Sequence, residues 1–315
     1  MTDALTVFVT GELGDARLAA LRAAAPGAEL RHFATAADMA PAIAQADAVA
    51  GDLPADMLAQ ATRVRWVHSW AAGPDKQLYP AFIASPVLLT CCKGNGAIPL
   101  AEHAILQMLM LNRNALRWHA AQQQRRWDHF VHGELNGLTC GIIGTGYSGI
   151  DLALKAKAFH MRTIGIRRHP QPTPHFDHIH PRAELHAFLA ESDFVVVTAP
   201  RTPETEGMLG TAEFRAMKPT AHYICFSRGG IADDAALLRA LTEGWIAGAG
   251  LDAHDVEPLP PESPFWTAPN TIVTPHNGAS TRATRDRGFA IFVENLRRHV
   301  AGEPLVNIVD KTLGY

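Results

Sequence analysis

The sequence predicts an α/β protein of two parallel-sheet domains, the first discontinuous and the second inserted into it. Three observations predict it. Short β-rich runs alternate with stretches of helix-like apolar spacing, the pattern of a parallel sheet with helices on both faces. The alternation starts again after a long helical stretch at 99–127, and another long helix follows at 282–302. A glycine-rich turn, GIIGTGYSGI (141–150), opens the second series. The long helices mark where the chain leaves one domain and returns, giving 1–98 plus 283–315 for the first and 99–282 for the second.

In the first domain LTVFVT (5–10), AELRHF (28–33), ADAVAG (46–51), VRWVHS (64–69) and PVLLT (86–90) read as strands. DARLAALRAAA (15–25) and ADMAPAIAQ (37–45) space their apolar residues as helices do. The run 99–127 reads as one helix, with Pro99 in the first turn, where a missing N–H costs little. In the second domain LTCGIIG (138–144), RTIGI (162–166), SDFVVVTA (192–199), AHYICFS (221–227), IAGAGLD (246–252) and TIVTP (271–275) read as strands. RATRDRGFAIFVENLRRHVAG (282–302) is an amphipathic helix. The Pro/His-rich stretch 169–181 reads as a solvated loop. Its His175, His178 and His180 are zinc-ligand types at short spacing, but no closing pair of ligands stands nearby, and no metal is assigned.

At 315 residues the chain is long enough for two cores. A net charge of −3 gives no general attraction to nucleic acid or an anionic membrane. No apolar run approaches the roughly 20 residues that span a bilayer. The N-terminal MTDALTVFVTGELGD lacks the basic and apolar regions of a leader and reads as a first strand. Of four cysteines two are adjacent, Cys91 and Cys92, and Cys140 and Cys225 lie in strand-like runs. That is no disulfide framework, so reduced thiols and a cytoplasmic location are expected.

Gly144-x-Gly146-x-x-Gly149 alone is a weak signal, but an apolar strand precedes it and a helix pattern follows. The first glycine permits a tight turn, the second lets backbone approach a pyrophosphate, and the third lets helix and strand pack closely. The helix N-terminus, at Tyr147 and Ser148, would offer free N–H groups to the phosphates. About 20 residues on, an acid often accepts from a ribose 2′-hydroxyl. Here that window holds Arg167 and Arg168. Arginine cannot accept, but its fork can grip a 2′-phosphate. Two arginines closing a strand can also be a plain solvated end. In this register the phosphate is favoured, and with it NADPH (NADP) over NAD.

Three further segments follow predicted strands and carry groups suited to hydride-transfer chemistry: SRGGI with Arg228, GLDAHDVEPLP with Asp252 and Glu257, and TPHNGA with His276. Open parallel sheets bind ligands outside the carboxyl ends of their strands.

With AEHAILQMLML, GIIGTGYSG, SDFVVVTAPRTPETEGML, FSRGGI, GAGLDAHDVEPLP and TPHNGA in this order, the chain resembles the D-isomer-specific 2-hydroxyacid dehydrogenases. SWAAGPDK (69–76) and the basic strand end resemble the glyoxylate/hydroxypyruvate reductase branch. The resemblance implies Rossmann-like and flavodoxin-like domains. It implies His276 as the acid that protonates the substrate carbonyl and Glu257 as the group orienting its imidazole. Arg228 would bind the substrate carboxylate, aided by backbone N–H groups at Ala72 and Gly73, with Trp70, Cys92 and Lys93 as candidates for the pocket wall. Pro200, Thr205 and Asp252 would meet the cofactor, Asp252 at its carboxamide. The activity implied is reduction of a small 2-keto acid to the D-2-hydroxy acid by a homodimer that pairs through the second domain and the helix after Pro99. Trp127 would lie at that contact or in the core at the helix end.

Some residues depart from the family pattern. Pro74 removes one backbone donor from the carboxylate loop. Arg201 stands where an aliphatic residue is usual, facing either cofactor or solvent, and Asn277 is more polar than expected. Two alternatives use the same scaffold: a dinucleotide-binding corepressor-like module, and NAD-dependent oxidation of another small acid such as formate or phosphite. A short-chain dehydrogenase is disfavoured, because no tyrosine has a lysine four residues later.

Overall fold

In the computed structural model, which describes residues 4–315, each run rich in β-branched and aromatic residues becomes a strand. The first three residues of the N-terminal stretch lie outside that range. The chain divides into two units: one runs to Asn95 and resumes at Thr281, and the other spans Gly96–Ser280.

The first unit holds β1 (Thr6–Thr10), β2 (Glu29–Phe33), β3 (Ala48–Ala50), β4 (Trp66–Ser69) and β5 (Leu88–Cys91). They form one sheet in the order β2-β1-β3-β4-β5, every pair parallel. Alternate side chains of β1 feed two cores, as strand periodicity requires. Val7 and Val9 pack with Trp66, Phe292 and Leu296. Phe8 packs with Val49, Val67 and Leu89 on the other face. Phe292 and Leu296 come from the helix Arg282–Ala301, which is capped by the Thr281 hydroxyl accepting from the Thr284 N–H and ends at Gly302 in the left-handed region. The stretch 37–45 is not one α-helix. An α-helical turn, Ala36–Met39, gives way to a 3-10 helix, Ala40–Gln45, because Pro41 lacks the N–H that would continue the ladder.

His68, on β4, is fully buried. Its Nδ1 lies 2.8 Å from the Thr90 hydroxyl and its Nε2 3.5 Å from the Cys92 sulfur. Burial pushes its pKa from 6.5 down to about 3. The native state therefore refuses a proton that the unfolded chain accepts. This contribution to stability is complete above pH 6.5 and is lost progressively as pH falls toward about 3. We expect a loss of a few kcal/mol over that window. Urea unfolding at several pH values checks it, and His68→Gln should flatten the slope; an unchanged slope contradicts the assignment.

The second unit holds β6 (Thr139–Ile143), β7 (Arg162–Arg167), β8 (His178–Pro181), β9 (Phe194–Val197), β10 (His222–Cys225), β11 (Gly248–Leu251) and β12 (Thr271–Val273). The order is β12-β11-β10-β9-β6-β7-β8, all parallel. Strand order reverses between β6 and β9, which opens a crevice at their carboxyl ends. β9 is buried on both faces: Phe194 and Val196 enter one core, Val195 and Val197 the other.

Three expectations are corrected here. The supposed loop 169–181 ends in the edge strand β8, which pairs with β7. HIHP gave no apolar alternation to announce it. The run 99–127 is two helices, Ala97–Asn112 and Ala115–Gln123. They break at Asn114, whose φ of 51° is a left-handed conformation that asparagine tolerates. Trp127 lies beyond both helices and is 95% exposed, so it is no core residue. No helix among the described residues is long and apolar enough to cross a membrane.

Candidate active site

The glycine turn sits at the strand-order reversal. Gly144 has a φ of 99°, and a Cβ there would lie 2.7 Å from the Ala199 nitrogen, just past β9. A Cβ on Gly149 would lie 2.2 Å from the Gly144 carbonyl oxygen. The Thr198 hydroxyl, 2.5 Å from that oxygen, ties the turn to β9. Above Gly146, by contrast, a Cβ would meet nothing within 4 Å. Gly146 caps the helix Tyr147–Ala158 with no side-chain bond, leaving first-turn N–H groups beside open space. A dinucleotide pyrophosphate fits this cradle on both steric and electrostatic grounds.

At the carboxyl end of β7, Arg167 is half-buried and pairs opposite Pro181 of β8. Arg168 Nε is 3.0 Å and Nη2 2.7 Å from Glu204 Oε2. Arg182 shares that carboxylate at 3.4 Å and also donates to the Glu204 carbonyl. Sequence reading missed Arg182 and Glu204, because only the unforeseen edge strand brings residue 182 beside residue 168. Thr205 turns its hydroxyl inward, donating to the Pro200 carbonyl at 2.7 Å and accepting from the Thr202 N–H at 2.8 Å. Arg201 is exposed and pairs with Asp255 at 2.9 Å and Glu206 at 2.6 Å.

At the carboxyl ends of β11 and β12 the structure brings Glu257 and His276 together. His276 Nδ1 lies 2.9 and 2.8 Å from the two Glu257 oxygens. The His254 backbone N–H donates to Glu257 Oε1 at 2.9 Å, and His254 Nε2 donates to the Thr274 carbonyl at 3.1 Å. His254, unmarked in the sequence reading, thus ties the Glu257 loop to the His276 loop. Burial works to raise the Glu257 pKa, but the His254 N–H and the facing imidazole outweigh it and hold the carboxyl below its ordinary range. His276 itself takes a left-handed φ of 49°.

Asp252 explains how that turn is held. Expected at the cofactor's carboxamide, it has no exposed surface here. Its Oδ1 accepts from the Thr274 hydroxyl at 2.6 Å and the Asn277 N–H at 3.0 Å, and its Oδ2 from the Gly278 N–H at 2.9 Å. Its observed work is bracing the His276 turn, and the Asn277 side chain is incidental to it. Arg228 follows β10, partly buried, with Nη1 donating to the Ser227 carbonyl at 2.7 Å.

In the first unit, Trp70 Nε1 donates to the Thr10 carbonyl at 3.0 Å. Ala72 is exposed and Gly73 partly so, and their N–H groups donate to no other described residue. Cys92 is wholly buried against His68 and the Gly288 carbonyl, so it walls no pocket. All four cysteines are free and buried.

A parallel sheet that reverses at a glycine cradle, with an imidazole–carboxylate pair and an arginine at its carboxyl ends, defines a nicotinamide-dinucleotide oxidoreductase. Residues 105–278 match the family model "D-isomer specific 2-hydroxyacid dehydrogenase, NAD binding domain". The chain is 32% identical over 269 residues to a glyoxylate reductase of Korarchaeum cryptofilum, covering 82% of this chain and 80% of that one. It is 32% identical over 281 residues to glyoxylate/hydroxypyruvate reductase B of Pectobacterium carotovorum, covering 86% and 87%. It is also similar to the solved structure of an NADPH-dependent glyoxylate/hydroxypyruvate reductase from Sinorhizobium meliloti in complex with NADP and sulfate. That likeness has a TM-score of 0.86 at 30% identity and covers 99% of this chain and 100% of that one. The chain belongs to the D-isomer-specific 2-hydroxyacid dehydrogenase family and is an NAD(P)-dependent oxidoreductase.

Proposed function

We propose that the protein reduces a small 2-keto acid of the glyoxylate or hydroxypyruvate type to the D-2-hydroxy acid, with NADPH preferred over NADH. The observation that carries the cofactor choice is the end of β7. Arg167 stands where an acid would read a ribose hydroxyl, and the nearby carboxylate, Glu204, is already bonded by Arg168 and Arg182.

The dinucleotide, when bound, supplies the hydride. The N–H groups at Gly146, Tyr147 and Ser148 would hold its pyrophosphate, and Arg167 and Arg168 its 2′-phosphate. His276 directs Nδ1 at Glu257, which leaves Nε2 to give its proton to the substrate's carbonyl oxygen. The Glu257 carboxylate fixes the ring and steadies its positive charge. Arg228 binds the substrate carboxylate, and we assign the first unit, with the N–H groups of Ala72 and Gly73, as the substrate-binding domain. Asp252 and His254 act through the loops they brace.

A panel of 2-keto acids assayed with NADPH and NADH in parallel tests the proposal; equal or better rates with NADH would sink the cofactor choice. Arg167→Asp should raise the NADPH KM by about 10- to 100-fold, from the ~1.5–3 kcal/mol of a charge-assisted hydrogen bond, and the NADH KM far less. The proposed assembly is a homodimer through the second unit, where Leu106, Trp118, Trp127 and Val131 are exposed. Sedimentation equilibrium giving a monomer at micromolar concentration would refute it.

A further inference from the structure

We propose that β8 and the turn after it carry a binding site for a divalent transition cation of the zinc class, formed by His178, His180 and Glu184. His178 and His180 are two residues apart on a strand and so share a face. Their ring centroids are 4.3 Å apart with planes at 85°. Glu184 Oε2 lies 2.9 Å from His180 Nδ1. One ligand atom from each of the three residues falls within 4.8 Å of the others. Small rotations of His178 and Glu184, both exposed, close such a set to coordination distance.

The second observation is His180 itself, 5% exposed, with an Nε2 that is buried and has no hydrogen-bond partner. Glu184 can only accept, so in a neutral ring Nδ1 must carry the hydrogen and Nε2 a bare lone pair. Another acceptor, Glu191 Oε1, stands 3.8 Å from that nitrogen. Two carboxylates therefore flank this buried ring. A cation on Nδ1 resolves the conflict. It takes the Nδ1 position, and the ring's single hydrogen moves to Nε2, facing Glu191. A carboxylate behind a metal-bound histidine is the usual way of fixing its ring and tautomer. Glu191 is itself held by Arg162 at 2.7 Å. Two imidazoles and a carboxylate suit zinc, with water completing the tetrahedron. The exposed His178 and Glu184 leave an entry path.

The test is calorimetric titration of zinc chloride into the full-length chain after chelator treatment. One saturable site is expected. His178→Ala and Glu184→Gln change exposed side chains and should each weaken binding about tenfold or more, while Glu191→Gln, behind the ligand, should cost about 10- to 100-fold. His169→Ala, outside the cluster, should leave the affinity unchanged, and cobalt(II) should show the visible absorption of a tetrahedral site. Absence of saturable binding, or an affinity unmoved by His178→Ala and Glu184→Gln, overturns the proposal.

Discussion

His276→Asn is expected to lower kcat for 2-keto acid reduction by about 10²- to 10⁴-fold, the usual range for loss of a general acid, with the dinucleotide dissociation constant unchanged. Asparagine is the informative replacement for a backbone reason. Residue 276 holds a φ of 49°, and asparagine accepts that conformation better than most residues. The turn also keeps its Asp252 bonds, because these come from the Asn277 and Gly278 N–H groups and the Thr274 hydroxyl. The variant therefore removes the transferable proton without unfolding its support. Steady-state kinetics with a fluorescence titration of NADPH separates the two effects. A kcat within tenfold of the parent would show that the proton comes from elsewhere.

Gly149→Ala is expected to abolish measurable dinucleotide binding and to cost about 1–3 kcal/mol of stability, as overpacking does. Its Cβ would stand 2.2 Å from the Gly144 carbonyl oxygen. Because that atom is backbone, the turn itself must open. Gly146→Ala is the matched control. Its methyl meets nothing within 4 Å and its φ of −83° suits alanine, so thermal melting should barely move. The methyl nevertheless enters the space reserved for the pyrophosphate, and NADPH binding should weaken about tenfold or more, ~1.4 kcal/mol. If Gly146→Ala binds NADPH as the parent does, the pyrophosphate is not held at that turn.

All three variants act on features legible in the sequence, and the reason is local. The glycine turn lies between an apolar strand and a helix pattern. Arg228, Glu257 and His276 each follow a strand that β-branched and apolar residues announce. Wherever pairing rather than composition decides, the sequence is silent. HIHP becomes a strand only because β7 offers an open edge, and that pairing brings Arg182 to Glu204. Asn114 breaks a continuous apolar pattern by a backbone choice that spacing does not record. His254 is marked by no motif, since its contribution is one backbone N–H and one ring nitrogen aimed at a loop 20 residues away.

The two ends of the cofactor domain also differ in how freely they can change over generations. Arg168, Arg182 and Glu204 are exposed and carry none of the core, so their identities can drift at little cost to folding. Asp252, with no exposed surface, gathers three hydrogen bonds that brace the turn at His276. On the proposed reading, descendants of this chain can exchange one dinucleotide for another long before they can part with the turn that presents His276.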